Sequence, residues 1–249
     1  MNPIPKMRQL AIAGVAMLVP TALALHVGSP VHGKSGRAET SSGLGRLSEV
    51  VRGPQGRHQI ALTFDGGAEA ECFDDLMRAL EAAHVHSTFF ITGRFTHSHP
   101  DCVAEIIKRG HEVGNHTWSH LPLTQQSDSV IRDEITRAEQ AIIKTSGQNP
   151  KPRFRAPYGD RDTRVLKVAA KLGYRSIYWT IDSLDGAEPK KTSKFLIDRI
   201  TAKTDGELDG AIILMHVGER STADALAAII SDLQARGFQL VTISTLLEP

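Results

Sequence analysis

Short apolar runs alternate along this chain with longer stretches whose apolar residues recur at helical spacing. The runs fall at 59–64, 87–91, 112–114, 153–154, 175–181, 211–215 and 239–243, each of strand length. Between them, three sets of residues each line one face of a 3.6-residue helix: Phe73, Leu76, Met77 and Leu80; Ile131, Ile135, Ala138 and Ile142; Leu226, Ile229, Ile230 and Leu233. These stripes are read as core. Gly110, Gly147, Gly173 and Gly237 each follow a helical stretch, where a left-handed cap ends a helix. Strand alternating with helix predicts parallel βα units, and about seven of them suit an incomplete α/β barrel better than a flat sheet. No tandem repeat is visible.

The first 57 residues break this pattern. Lys6 and Arg8 precede an apolar run at 10–25, the layout of a secretory signal and too short for a comfortable membrane span. Ala22-Leu23-Ala24 offers a cleavage site, and Pro20 with the neighbouring leucines leaves a signal anchor as the alternative. Residues 26–57 are rich in Gly and Ser and without apolar period, so they are expected to form a flexible linker that also serves as a membrane tether if the signal stays uncleaved. The folded domain is expected over 58–249, and the protein is expected to be exported to the cell envelope, the periplasm or the outside.

Charge divides at the same place. Residues 1–57 hold seven Lys and Arg against two acids, leaving 22 against 26 for 58–249. The domain therefore carries no basic excess for nucleic acid, and no protein partner is indicated. An exported protein permits a disulfide between its two cysteines, Cys72 and Cys102. Each opens a helix after a strand, which would put both on one barrel face, and a bond between them is expected. Two buried thiols are the alternative.

In such a barrel, reacting groups sit on loops leaving the C-terminal ends of the strands. Four polar clusters follow strand runs. Asp65 ends the run at 59–64 and precedes Gly66 and Gly67. His116 and His120 follow the run at 112–114; four residues apart on one face of a helical turn, their imidazoles can share one metal ion. Arg155 opens Arg155-Ala156-Pro157-Tyr158-Gly159, a rigid turn at the barrel mouth. Asp185 follows one strand and His216 ends another, and a carboxylate beside a histidine sets the tautomer of an acid catalyst.

In this order the clusters resemble the motifs of the NodB-homology polysaccharide deacetylases, carbohydrate esterase family 4, over about residues 58–247. The resemblance implies a distorted, incomplete (β/α)7 barrel that hydrolyses N-acetyl groups of a cell-wall glycan, peptidoglycan foremost and chitin-like oligomers next. It implies that Asp65 is the general base and that Arg155 orients it and keeps it ionised. His116 and His120 would hold a divalent metal, zinc or cobalt. The backbone N–H of Tyr158 would help bind the oxyanion, and His216, paired with Asp185, would protonate the leaving amine.

The chain departs from that pattern twice. Gly66 replaces an Asp that is a metal ligand in the family, leaving Glu69, Glu71 or water to complete the shell. Gly186 stands where a Trp usually walls the substrate groove. Two other readings follow: a metal-poor, catalytically inactive carbohydrate-binding barrel, and a hydrolase of small amides on the same scaffold, against which the export signal argues.

Overall fold

The computed structural model describes residues 49–67 and 69–249; the signal-like segment and most of the expected linker lie outside them. Eight parallel strands form the sheet: β1 (Gln59–Gly66), β2 (Thr88–Ile91), β3 (Glu112–Asn115), β4 (Arg153–Phe154), β5 (Arg175–Ser176), β6 (Ile181–Asp182), β7 (Ile212–His216) and β8 (Gln239–Leu240). Their spatial order is β5-β4-β3-β2-β1-β7-β6, with β8 beside β1. Between and after them run α1 (Phe73–Ala82), α2 (Gly93–Ser98), α3 (Pro100–Lys108), α4 (Asp128–Ser146), α5 (Thr163–Lys171), α6 (Ser193–Thr201), α7 (Asp205–Leu208), α8 (Arg220–Ala235) and α9 (Ile243–Leu246). Among the described residues no helix is long and apolar enough to cross a membrane.

The strand order forces curvature. β5 and β6 are consecutive in sequence yet lie at opposite edges of the sheet. Seven flat strands about 4.8 Å apart would separate those edges by about 29 Å, whereas the five-residue step from Ser176 to Ile181 reaches at most about 18 Å. The sheet therefore curls into the incomplete (β/α)7 barrel. The run at 175–181, expected as one strand, is split in two because its middle crosses this seam. The run at 239–243 is also shorter than expected: pairing ends at Leu240, and Thr242 caps α9 by accepting from Thr245 N–H.

Residues 49–53, expected in the linker, belong to the fold. Val50 is buried and pairs in parallel with Ile177; its N–H reaches Ser176 O at 2.8 Å, and its carbonyl accepts from Tyr178 at 2.7 Å. Glu49 holds Arg161 by a two-pronged ion pair at 2.8 and 2.9 Å. Residues ahead of His58 are thus part of the fold because they line the open seam.

All three helical stripes are buried. β1 is buried from Ile60 to Gly66, as a strand covered on both faces must be. The expected disulfide is absent: both cysteines are free thiols. Cys72, at the start of α1, is within the electrostatic reach of Arg220 and Asp224 of α8, whereas Cys102 lies beside Asp74 and Asp101. Burial pushes both thiols up.

Candidate active site

Register assembles the site at the C-terminal ends of the strands. Asp65 and His216 are paired neighbours on β1 and β7. His116 leaves β3 and Arg155 leaves β4, tied by Arg155 N–H to Asn115 O at 3.0 Å. The resulting cleft of about 440 Å³ is lined by Asp65, His116, His120, Tyr158 and His216. Arg155 and Asp185, 1% and 0% exposed, lie behind it.

Arg155 spends its guanidinium on four acceptors. Nη1 donates to Asp65 Oδ1 at 2.7 Å and to Thr63 Oγ1 at 2.9 Å; Nε and Nη2 donate to the carbonyls of Ile177 and Tyr178 at 3.1 and 3.2 Å. Burial pushes the Asp65 carboxyl up, but Arg155, His116 and His216 more than offset this and hold it below the usual carboxylate value. Asp65 is therefore an anion at neutral pH, with Oδ2 3.5 Å from His116 Nε2.

His116 Nδ1–H donates to Arg155 O at 2.9 Å, leaving the Nε2 lone pair free. His120 Nε2 lies 3.1 Å from that atom. Burial drives both imidazoles toward the neutral, ligating form, His120 to about 4. The expected helical turn is not what joins them. Residues 116–120 form a loop with left-handed backbone at Thr117 (φ 67°) and His120 (φ 63°). Asn115 Oδ1 accepts from Thr117 N–H at 2.9 Å, and Thr117 Oγ1 accepts from His120 N–H at 3.3 Å.

The acid pair is built from a wholly buried carboxylate. Asp185 Oδ1 accepts from His216 Nδ1 and Oδ2 from His216 N–H, both at 2.7 Å; Ser183 and Thr222 hydroxyls donate at 2.9 and 2.5 Å, and Gly186 N–H at 2.8 Å. Burial opposes a charged His216, but the hydrogen bond and charge of Asp185, helped by Asp65 and Asp182, raise it to about 9. His216 is thus a charged imidazolium beside the ionised Asp65 carboxylate.

The polysaccharide deacetylase family model matches residues 52–177. The chain belongs to the polysaccharide deacetylase family. Its relatives include a chitooligosaccharide deacetylase of Bradyrhizobium sp., 33% identical over 200 residues covering 74% of this chain and 89% of that one. The peptidoglycan-N-acetylmuramic acid deacetylase PdaA of Bacillus subtilis is 31% identical over 189 residues, covering 76% and 71%. Among solved structures, the CE4 family pseudoenzyme BA3943 of Bacillus anthracis aligns with a TM-score of 0.75 at 28% identity, covering 81% and 69%, and a mutant of it has restored enzymatic activity.

In this polysaccharide deacetylase the two departures have structural counterparts. A Cβ on Gly66 would meet Ile91 Cγ2 at 3.2 Å and the Phe95 ring at 3.4 Å, so position 66 faces away from the cleft side that Asp65 occupies. Among the described residues no set of three His, Cys, Asp or Glu is grouped to hold a metal. Glu69 lines the cleft; Glu71 does not. A Cβ on Gly186 would lie 3.1 Å from the His216 ring. The aromatic wall comes from Trp179 in the seam and from Tyr158, which is 70% exposed, left-handed (φ 59°) and packed edge-on against His120 at 4.4 Å.

Sequence reasoning overlooked Trp179, Thr222 and Glu134. Trp179 was hidden inside what read as a continuous strand. Thr222 gave no signal, since a threonine in the first turn of a helix is commonplace. Glu134 did give one, because it interrupts the apolar stripe of α4.

Proposed function

We propose that the protein is a metal-dependent hydrolase that removes N-acetyl groups from amino sugars of a cell-wall glycan, peptidoglycan foremost. One observation carries this reading: an ionised carboxylate, two neutral imidazoles and a protonated histidine converge on a single cleft. Amide hydrolysis needs a base for the attacking water and an acid for the leaving amine, and Asp65 and His216 supply both. In this reading the N-terminal segment exports the chain to the envelope, where such glycans are met.

The two Nε2 atoms fit a divalent cation. Nitrogens bound tetrahedrally to zinc at about 2.0–2.1 Å lie about 3.3 Å apart, and here the separation is 3.1 Å. His116 and His120 would hold zinc, or cobalt, with water in the remaining positions. When bound, the ion supplies Lewis acidity toward the acetamide carbonyl and the attacking water.

The chain's own groups do the rest. Asp65 accepts the water proton, held ionised and aimed by Arg155. The backbone N–H of Tyr158 donates to the acetamide oxygen as negative charge develops there. His216, with Nδ1–H committed to Asp185, presents Nε2–H to the nitrogen and protonates it as the C–N bond breaks and acetate leaves. The test is acetate release by zinc-loaded protein from peptidoglycan and from chitooligosaccharides. No release from either substrate, with zinc bound, would defeat the proposal.

Gly66 favours a second reading, an inactive glycan-binding barrel, and the likeness to a pseudoenzyme supports it. Purified protein that retains glycan but neither holds zinc nor releases acetate would decide for it.

A further inference from the structure

Glu134 is out of place by the rules that govern its helix. In α4 the buried face is Ile131, Glu134, Ile135, Ala138 and Ile142, and the carboxylate is 4% exposed. A buried carboxylate is costly unless its oxygens are fully hydrogen-bonded, and an apolar residue would pack there without that cost. No ion pair joins Glu134 to a cation among the described residues. Both of its oxygens are instead given to one residue: Oε2 accepts from Ser119 N–H and Oε1 from Ser119 Oγ–H, each at 2.7 Å.

Ser119 precedes His120, whose backbone is left-handed. Non-glycine residues hold such conformations only where the surroundings over-determine them. Thr117 supplies one restraint on this loop, a 3.3 Å bond to His120 N–H. The paired bonds from Glu134 are shorter and anchor the loop to α4, the longest of the described helices, which packs against β3. We infer that Glu134 is a positioning residue: through Ser119 it sets the backbone turn that brings His120 Nε2 to within 3.1 Å of His116 Nε2. The inference rests on the reading that these two histidines hold the metal.

Charge and geometry are separable here. In Glu134→Gln the amide oxygen still accepts from Ser119 N–H, and the amide N–H donates to the Ser119 hydroxyl, which turns round to accept. Both bonds survive without the charge. Glu134→Ala loses both bonds, and Ser119→Ala loses one.

The experiment titrates metal-free, full-length protein with Co2+, following its visible d–d absorption, and with Zn2+ by calorimetry, alongside thermal melts without metal. Glu134→Ala is expected to weaken zinc binding about 10- to 100-fold, the range for groups that orient metal ligands, and to alter the cobalt spectrum of the folded protein. Glu134→Gln should restore both readouts, and Ser119→Ala should fall between. Wild-type affinity and spectrum in a folded Glu134→Ala, with only its melting point lowered, would reduce Glu134 to a structural role and overturn the inference. So would equal losses in the Gln and Ala variants. If Glu134→Ala does not fold, Ser119→Ala decides: unchanged affinity overturns the inference, and a loss supports it. A wild-type protein that gives no cobalt spectrum would overturn the metal reading and this inference with it, an outcome distinct from wild-type binding matched by the variants.

Discussion

Arg155 Nη1 meets Asp65 Oδ1 at 2.7 Å with both side chains almost entirely withdrawn from water, 1% and 6% exposed. Removing one member strands the other as a buried charge, which costs about 3–5 kcal/mol. Arg155→Ala should therefore destabilise the metal-free domain by roughly that amount in chemical denaturation. Adding Asp65→Asn to it should cost less than the two single losses combined. Strict additivity would mean that the pair is not energetically coupled.

Asp65→Asn alone should leave the fold and zinc content largely intact, because Arg155 keeps its carbonyl and hydroxyl partners, while the stranded Arg155 charge lowers the melting point of the metal-free domain. Acetate release should drop by at least about 10²-fold, the usual worth of a positioned general base. Near-normal turnover would remove Asp65 from the base role.

His216 titrates at about 9 because Asp185 holds its proton. The rate should hold a plateau through neutral pH and fall on the alkaline side near that value. Asp185→Asn should draw the alkaline limb down toward the ordinary histidine value of about 6.5. The same raised pKa makes a statement about stability. The charged pair contributes fully below about pH 6.5, and its contribution is lost as pH rises through about 9. Melts of metal-free wild type should show that decline, and Asp185→Asn should lack it. A flat wild-type profile would contradict the pairing.

Gly66→Asp sets two effects against each other. A carboxylate that reaches round the strand end from the Ile91 side to the cleft should raise zinc affinity, while its Cβ, 3.2 Å from Ile91, should lower metal-free stability by about 1–3 kcal/mol, as overpacking does. Calorimetry and thermal melts read the two effects separately. Unchanged affinity would show that a side chain at 66 stays on the Phe95 side of the strand.

The parallel barrel was legible from strand runs alternating with helical stripes, and the residues that meet around the cleft were legible because four of the strand runs end in chemically distinctive polar clusters. The histidine pair was legible as a pair but not as a loop, since sequence spacing carries no φ values, and Thr117 is an unusual residue to hold a left-handed one. The seam was illegible for another reason. Val50 pairs with Ile177 across a separation in sequence that no local pattern reports, so 49–53 read as tether. The disulfide failed because a shared place at helix starts on one barrel face does not fix the separation that a bond requires.

Arg155 also bridges the seam. It leaves β4, yet its Nε and Nη2 grip the carbonyls of Ile177 and Tyr178 in the crossing from β5 to β6, while Nη1 holds Asp65 on β1. The guanidinium therefore acts as a rivet through three separate segments, one of them the stretch where the barrel closes on itself. Until that closure forms, Arg155 lacks two of its acceptors and Asp65 lacks its oriented partner. A chain that has paired its strands without sealing the barrel would be compact but with the Asp65 carboxylate unfixed, so closure of the wall and orientation of Asp65 go together.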